Sequence, residues 1–580
     1  MSIGADRNSR DTDATVHRVA GRSPAKPGLD RLVFGVTAIG SLAFVAWGII
    51  DRSSLATAAG NAQSWVISNT GWLFVLIATV FVVYVIWLAA SRYGKIPLGA
   101  DGEKPEFRTV SWIAMMFSAG MGIGLMFWGV AEPLSHFVNP PPGTAEPGSP
   151  EASEVAMATT LFHWTLHPWA IYAVAGLAIA YSTFRRGRSQ LISSVFRPIL
   201  GRKADGLGGQ AINMMAIFAT LFGSAASLGL GALQIGAGME FNGWIDAIGK
   251  VGLVAIICGL TIAFIFSAVS GIDRGIQWLS NINMVLVLAL AVAAFVFIAG
   301  PTLVMLNFLP AAIGDYIAML PTMASRTGVA GGEAMETWLS TWTIFYWAWW
   351  ISWTPFVGMF IARISRGRTI RQFVTGVLLV PSVVSLVWFV IFGGAGIRQQ
   401  SETGDLTEAD GSVNENFALF HLLDHYPLAS FTAGLVMVLV AIFFVSGADA
   451  ASIVMGTLSE KGSIEPSKPT VIFWGSATGA VAAIMLVIAD PKDLGGALTG
   501  LQALTTVVSL PFMVVMGFMC VSLYRDLRAD PIIQREDLGV QLVVDAVVQG
   551  TERHDGEFEL VTEAVVVDEP DDSPEDRTAS

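Results

Sequence analysis

Twelve apolar runs, each about 20 residues long, constrain this chain more than any other feature. They fall at roughly 33–51, 72–91, 112–131, 162–182, 211–233, 252–270, 284–306, 336–358, 374–394, 428–455, 469–489 and 501–523. A helix of that length crosses the hydrocarbon core of a bilayer. Only 14% of residues are charged, against about 25% in a soluble protein. The expected class is an all-α integral membrane protein with twelve transmembrane helices. The first run follows polar sequence and has no small-residue cleavage site after it, so it reads as a retained span and not a signal peptide.

Loop charge sets the orientation. With both tails on one side, that side carries 28 of the 33 Lys and Arg residues. Both termini are therefore expected in the cytoplasm. Residues 1–31 read as a polar, disordered cytoplasmic tail and 32–523 as the domain of twelve spans. Residues 524–580 hold 16 Asp and Glu against 5 Arg, which reads as an acidic, solvated and disordered tail. Such a tail is unsuited to anionic lipid. Cys258 and Cys520 both fall inside spans and suggest neither a disulfide framework nor a metal site. No nucleophile–base pair, metal cluster or phosphate loop is evident. An enzyme, a cofactor and a nucleic-acid partner are not expected.

Within the third run lies Gly120-Met121-Gly122-Ile123-Gly124. Each glycine costs a helix interior roughly 1 kcal/mol relative to alanine. Loosened backbone survives at membrane depth only where it is buried in protein or lines a cavity. A span broken this way offers backbone groups to a ligand near the midplane. In the eighth run Pro355 removes a helix hydrogen bond and is expected to disturb the turn before it. The two interrupted runs lie five apart. That suits two inverted five-helix repeats, about 112–270 and 336–523, after two extra N-terminal helices. A connecting span lies between the repeats, and residues 306–334 are too polar to cross again. Their apolar positions suit a helix lying along the outer surface.

Aromatic residues crowd the fourth and eighth runs. Trp164, Trp169 and Tyr172 sit at spacings of five and three, and Trp350 and Trp353 one turn apart. Trp164 reaches the same cavity as Trp169 only if the helix rotates or bends at Pro168. Several ring faces together enclose a quaternary ammonium, each contact supplying roughly 0.5–2 kcal/mol. The plainer reading is packing or interfacial anchoring. No Asp, Glu, Lys or Arg is found in the heart of the third, fourth, fifth or eighth run, which favours a zwitterion over a cation. The zwitterion's own carboxylate would rest on N–H groups of the broken helix. Thr220, Ser224 and Ser446 offer oxygen to a hard ion such as sodium, although such hydroxyls commonly bond back to their own helix. Asp449 reads either as a coupling group or as the cap of a helix break beside Gly447.

The glycine pentad, the run Phe162 to Tyr172 and the run Phe345 to Trp353 resemble the betaine/choline/carnitine transporter family over roughly residues 33–523. The resemblance implies twelve spans, a sodium-symporter-like core of two inverted repeats, and a homotrimer whose contacts include the lateral helix near 310–325. It implies secondary active uptake of a betaine-type compatible solute coupled to sodium, in the cell inner (plasma) membrane. By motif, Trp164, Trp169, Tyr172 and Trp350 would form the ammonium cage, with Trp353 and the backbone of Gly120, Met121, Gly122, Ile123 and Gly124 beside the substrate. Thr220, Ser224 and Phe356 would attend one sodium ion. Ser118, Met121, Phe443 and Ser446 would attend the other, where Gly447 replaces a second hydroxyl. Gly124 favours a zwitterion over choline. The acidic tail departs from the basic one of osmosensing members. A proton-coupled or exchange carrier for a related compound such as choline or carnitine, and a membrane solute sensor, remain the alternatives.

Overall fold

The computed structural model describes residues 28–120, 122–269, 285, 302–488, 494–554 and 556–559. Among these the chain is helical, with no strand and a single isolated bridge between Pro97 and Thr369. The main helices, in order, are α1 (Arg31–Ile50), α2 (Arg52–Ala90), α3 (Thr109–Gly120), α4 (Ile123–Val138), α5 (Pro150–Trp164) and α6 (Leu166–Ala180). There follow α7 (Leu207–Phe241), α8 (Lys250–Val269), α9 (Thr302–Ala324), α10 (Gly328–Thr341), α11 (Thr343–Ile364) and α12 (Ile370–Thr403). The last are α13 (Ala418–Asp424), α14 (Ala429–Ser459), α15 (Lys468–Ile488), α16 (Leu494–Arg528) and α17 (Pro531–His554).

Eight described helices are long and apolar enough to cross a membrane. The third, fourth and eighth apolar runs are each split between two helices. The third breaks where expected, between α3 and α4, with Gly122 at φ −167°, ψ −125°. The fourth breaks at Thr165 (φ −115°, ψ −110°) and not at Pro168. Pro168 sits in the first turn of α6, where a missing N–H costs nothing because no helical acceptor precedes it. The eighth breaks at Trp342 (φ −113°, ψ −85°), while α11 runs unbroken through Pro355. The expectation of a disturbance at Pro355 is thus corrected. The preceding turn is reinforced by Thr354, whose hydroxyl donates to the Trp350 carbonyl at 2.8 Å. The apolar run 284–306 lies mostly outside the described residues.

Local signals set several helix ends. Ser149 caps α5 by accepting from the Ala152 N–H at 3.1 Å, with Pro150 at the first helical position. Thr369 and Gln372 form a reciprocal capping box at α12. The packing centre is α7, most of which is buried between α11, α14 and α15. Helix α11 lies along α6, and α4 along α12 and α5. At Gly223 the approach of α7 to α11 is so close that a Cβ would overlap the Ser352 side chain. The lateral helix expected near 310–325 is α9, which packs on α5 and α12.

One end of the bundle is tied by the loops after α2 and α11. Leu98 N–H donates to the Arg368 carbonyl at 2.7 Å and Gly367 N–H to the Leu98 carbonyl at 2.9 Å. Trp112 donates to Ser365 Oγ at 2.9 Å beneath the Arg368 guanidinium, 4.1 Å from the indole centroid. Residues 526–580 form a separate unit. The expectation that everything beyond 524 lacks regular structure is corrected by α17, whose Leu538, Leu542 and Val543 are exposed.

Candidate functional site

Helices α4, α5, α6 and α11 supply the aromatic cluster. The break at Thr165 lets Trp164, at the end of α5, and Trp169 and Tyr172, on α6, serve one ring system. Trp164 meets Trp350 edge-on with centroids 5.0 Å apart. Trp350 meets Tyr172 at 6.1 Å and Tyr172 meets Trp169 at 5.6 Å, both T-shaped. All four rings are at least 97% buried. Trp349 stacks on Trp350 at 4.9 Å and 13°. Edge-to-face contacts of this kind contribute about 0.5–1.5 kcal/mol each beyond area burial. The polar edges are tied off: Trp349 Nε1 donates to Ser227 Oγ and Trp350 Nε1 to the His163 carbonyl, each at 3.1 Å. Tyr172 is different, since its buried hydroxyl has no hydrogen-bond partner.

Gly124 touches this cluster directly. A Cβ there would stand 2.6 Å from Trp164 Cη2 and 3.0 Å from Trp349 Cη2. Trp353 lies one turn further along α11, edge-on to Trp349 at 6.0 Å, and donates to the Gly223 carbonyl at 3.1 Å. It is therefore beside the four-ring chain and not part of it.

Trp353 instead lines a cavity of about 20 Å³ with Gly122, Ser224, Phe356, Phe443 and Gly447. That volume is the scale of one small ion or water. Thr220 Oγ1 and Ser224 Oγ, one turn apart on α7, are buried without a hydrogen-bond partner. Ser224 lines the cavity and Thr220 stands one turn before it on the same helix, and two unpartnered oxygens of this kind suit a hard cation with oxygen ligands. Ser446 is placed differently: its hydroxyl donates back to the Phe443 carbonyl at 3.0 Å. The side chains of Ser118 and Gly120 and the whole of Met121 lie outside the described residues. Helix α14 runs unbroken past Gly447, so Asp449 caps no break there; it accepts from Ser267 Oγ at 2.6 Å.

The sequence reading missed Glu132. It placed no acid beside the aromatic residues because the apolar run ends at 131, but α4 continues to Val138 with Glu132 fully buried. Glu132 Oε2 accepts from Trp164 Nε1 at 2.6 Å and from the Tyr346 hydroxyl at 2.5 Å. Oε1 lies 2.6 Å from His163 Nδ1 and 3.5 Å from His136 Nε2. Glu132, His136 and His163 each bring one ligand atom within 4.8 Å of the others, a metal-type grouping also missed. Both Glu132 oxygens already have hydrogen-bond partners. One signal was available: Glu132 is the only acid between Glu106 and Glu146. With Glu132 bonded to Trp164, the aromatic cluster does contain an acid, and charge content no longer favours a zwitterion over a cation.

The profile of the BCCT, betaine/carnitine/choline family transporter, matches residues 32–532. The chain belongs to the betaine/carnitine/choline transporter family. Family members are transporters and not enzymes, and this one has the apolar helices of a multi-pass membrane protein. The betaine/ectoine transporter LcoP of Corynebacterium glutamicum is 46% identical, over 93% of this chain and 84% of its own. The glycine betaine transporter OpuD of Bacillus subtilis is 44% identical, over 86% and 94%. Glycine betaine transporter 1 of Vibrio parahaemolyticus is 37% identical, over 91% and 100%. In this member of the betaine/carnitine/choline family, the aromatic cluster and the small cavity both border the break between α3 and α4.

Proposed function

We propose that this carrier imports a betaine-type zwitterion, such as glycine betaine, with sodium as the coupling ion. The observation that carries the reading is the buried chain of Trp164, Trp350, Tyr172 and Trp169 beside the interrupted helix at Gly122. Relatives named for betaine, ectoine and glycine betaine support the substrate class. The rings, now in edge contact, part around the methylated onium group. The substrate's carboxylate rests on N–H groups freed at the start of α4, around Gly122, Ile123 and Gly124. Sodium occupies the cavity between α4, α7, α11 and α14, held by Thr220 and Ser224 with Phe356 facing it. A second ion would use Ser118, Met121, Phe443 and Ser446.

The wider reading has twelve spans, two inverted repeats, a homotrimer in the cell inner membrane and both termini in the cytoplasm. Each sodium moving through 100 mV supplies about 2.3 kcal/mol. As a zwitterion adds no net charge, one ion supports roughly 50-fold accumulation. Uptake of labelled glycine betaine into proteoliposomes, with sodium or proton gradients imposed in turn, tests the reading. Equal uptake without sodium overturns the coupling and selects a proton-driven or exchange carrier; binding without flux selects a sensor.

Two variants address the ion. Ser224→Ala removes one oxygen from the cavity, and the sodium concentration for half-maximal uptake is expected to rise about tenfold. The KM for betaine at saturating sodium should stay within about twofold, since the aromatic rings are untouched. Gly447→Ser adds a hydroxyl where a Cβ meets nothing within 4 Å. It is expected to lower the half-maximal sodium concentration about fivefold, the scale of one added polar contact. Sodium titrations of initial uptake rate read both.

A further inference from the structure

We infer that Glu132 is the positioning residue of the aromatic site and makes it prefer a fixed positive charge over a neutral group of the same shape. This rests on the reading of the rings as an onium site.

An indole N–H only donates, so Glu132 Oε2 must accept from Trp164. At 2.6 Å the bond is short for an N–H···O contact, the direction in which an anionic acceptor moves it. The Tyr346 hydroxyl reaches the same oxygen at 2.5 Å, within the range of about 2.5–2.7 Å for a hydroxyl on a carboxylate. Two donors on one oxygen leave no room for an acid proton there. On the other side, His163 Nδ1 stands 2.6 Å from Oε1, and His163 Nε2 stands 2.9 Å from Thr343 Oγ1. A neutral imidazole satisfies both contacts by donating to the carboxylate and accepting from the threonine. We assign this tautomer, in which an ionised carboxylate completes every bond; a proton on Oε1 donated to Nδ1, with Nε2–H on Thr343, would complete them equally, and E132Q separates the two.

The network spans both walls of the ring cluster. Trp164 and His163 end α5, while Thr343, Tyr346 and Trp350 belong to α11. Glu132 on α4 binds the first wall directly through Trp164 and the second through Tyr346. It reaches Trp350 through His163, whose carbonyl accepts the Trp350 N–H at 3.1 Å. Tyr346 also stacks on His163 at 4.8 Å and 23°. Pinning the N–H edge of Trp164 sets where its six-membered ring points, which is toward Gly124. The hydrogen bond to an anion also pushes electron density into the indole and phenol, making their faces more attractive to a cation. A negative group as deeply buried as Glu132 is only weakly screened.

A carbon isostere separates charge from shape. 3,3-Dimethylbutanoate matches glycine betaine with the ammonium nitrogen replaced by carbon. Both would be used to compete with labelled glycine betaine uptake by the full-length carrier in proteoliposomes. In E132Q the ratio of the two inhibition constants is expected to shrink about tenfold, because the isostere loses little while betaine loses much. In E132D the charge stays but the arm shortens by one methylene, so both constants rise and the ratio holds. Equal weakening of both ligands in E132Q, or an unchanged ratio there, overturns the charge role. Unchanged constants in E132D overturn the positioning role, and that variant decides alone if E132Q does not fold. Trp350→Leu distinguishes the levels. If it leaves betaine competition intact, the onium-site reading itself fails. If it weakens betaine while E132Q keeps the ratio, only the inference about Glu132 falls.

Discussion

Replacing Trp350 with leucine is expected to raise the KM for glycine betaine about 30-fold, the worth of one desolvated cation–π contact of about 2 kcal/mol. Trp350 touches four rings, Trp164, Tyr172, Tyr346 and Trp349. Leucine keeps an apolar side chain in place but offers no ring face. It also leaves the His163 carbonyl without the indole donor. Some loss of stability accompanies the change, about 1–3 kcal/mol for an unsatisfied buried acceptor. Size-exclusion of the detergent-solubilised carrier separates that loss from the loss of affinity. A folded variant with unchanged KM would remove the onium site.

Gly124→Ala is expected to cost more than its single methyl suggests, reducing uptake efficiency about 100-fold if the overlap costs about 2–3 kcal/mol. The added carbon would stand 2.6 Å from Trp164 Cη2 and 3.0 Å from Trp349 Cη2. Neither indole can swing aside cheaply. Trp164 is held at its N–H by Glu132, and Trp349 at its N–H by Ser227. Gly35→Ala on α1 is the control, because a Cβ there meets nothing within 4 Å and the residue lines neither the ring cluster nor the small cavity. Initial uptake rates against substrate concentration, normalised to folded carrier, make the comparison. Equal behaviour of the two alanine variants would mean that the rings near Gly124 move freely and that Glu132 does not pin them.

The class of this protein could be read from the chain because it depends on local properties. Run length, residue charge in loops and helix-breaking residues act over a few turns. The break at Gly122 was legible for that reason, since three glycines within five residues weaken one stretch of helix whatever surrounds it. The aromatic positions were also legible, as ring-rich runs, and so were the paired hydroxyls of Thr220 and Ser224.

Other outcomes turned on neighbours far along the chain. Pro355 stays inside a continuous helix and Trp342 takes the break instead, where α11 is packed along α6 and α7. Ser446, a candidate ion ligand by type, bonds to its own helix. Glu132 was passed over at the end of an apolar run, yet its partners Trp164 and Tyr346 lie 32 and 214 residues away. Sequence alone established the membrane class and the position of the first break, since both follow from short-range chemistry. Which polar groups meet, and hence how the rings are held, was decided only by the packing of α4, α5 and α11. A hydrogen bond needs its donor and acceptor within about 3 Å, and only the folded chain sets that distance.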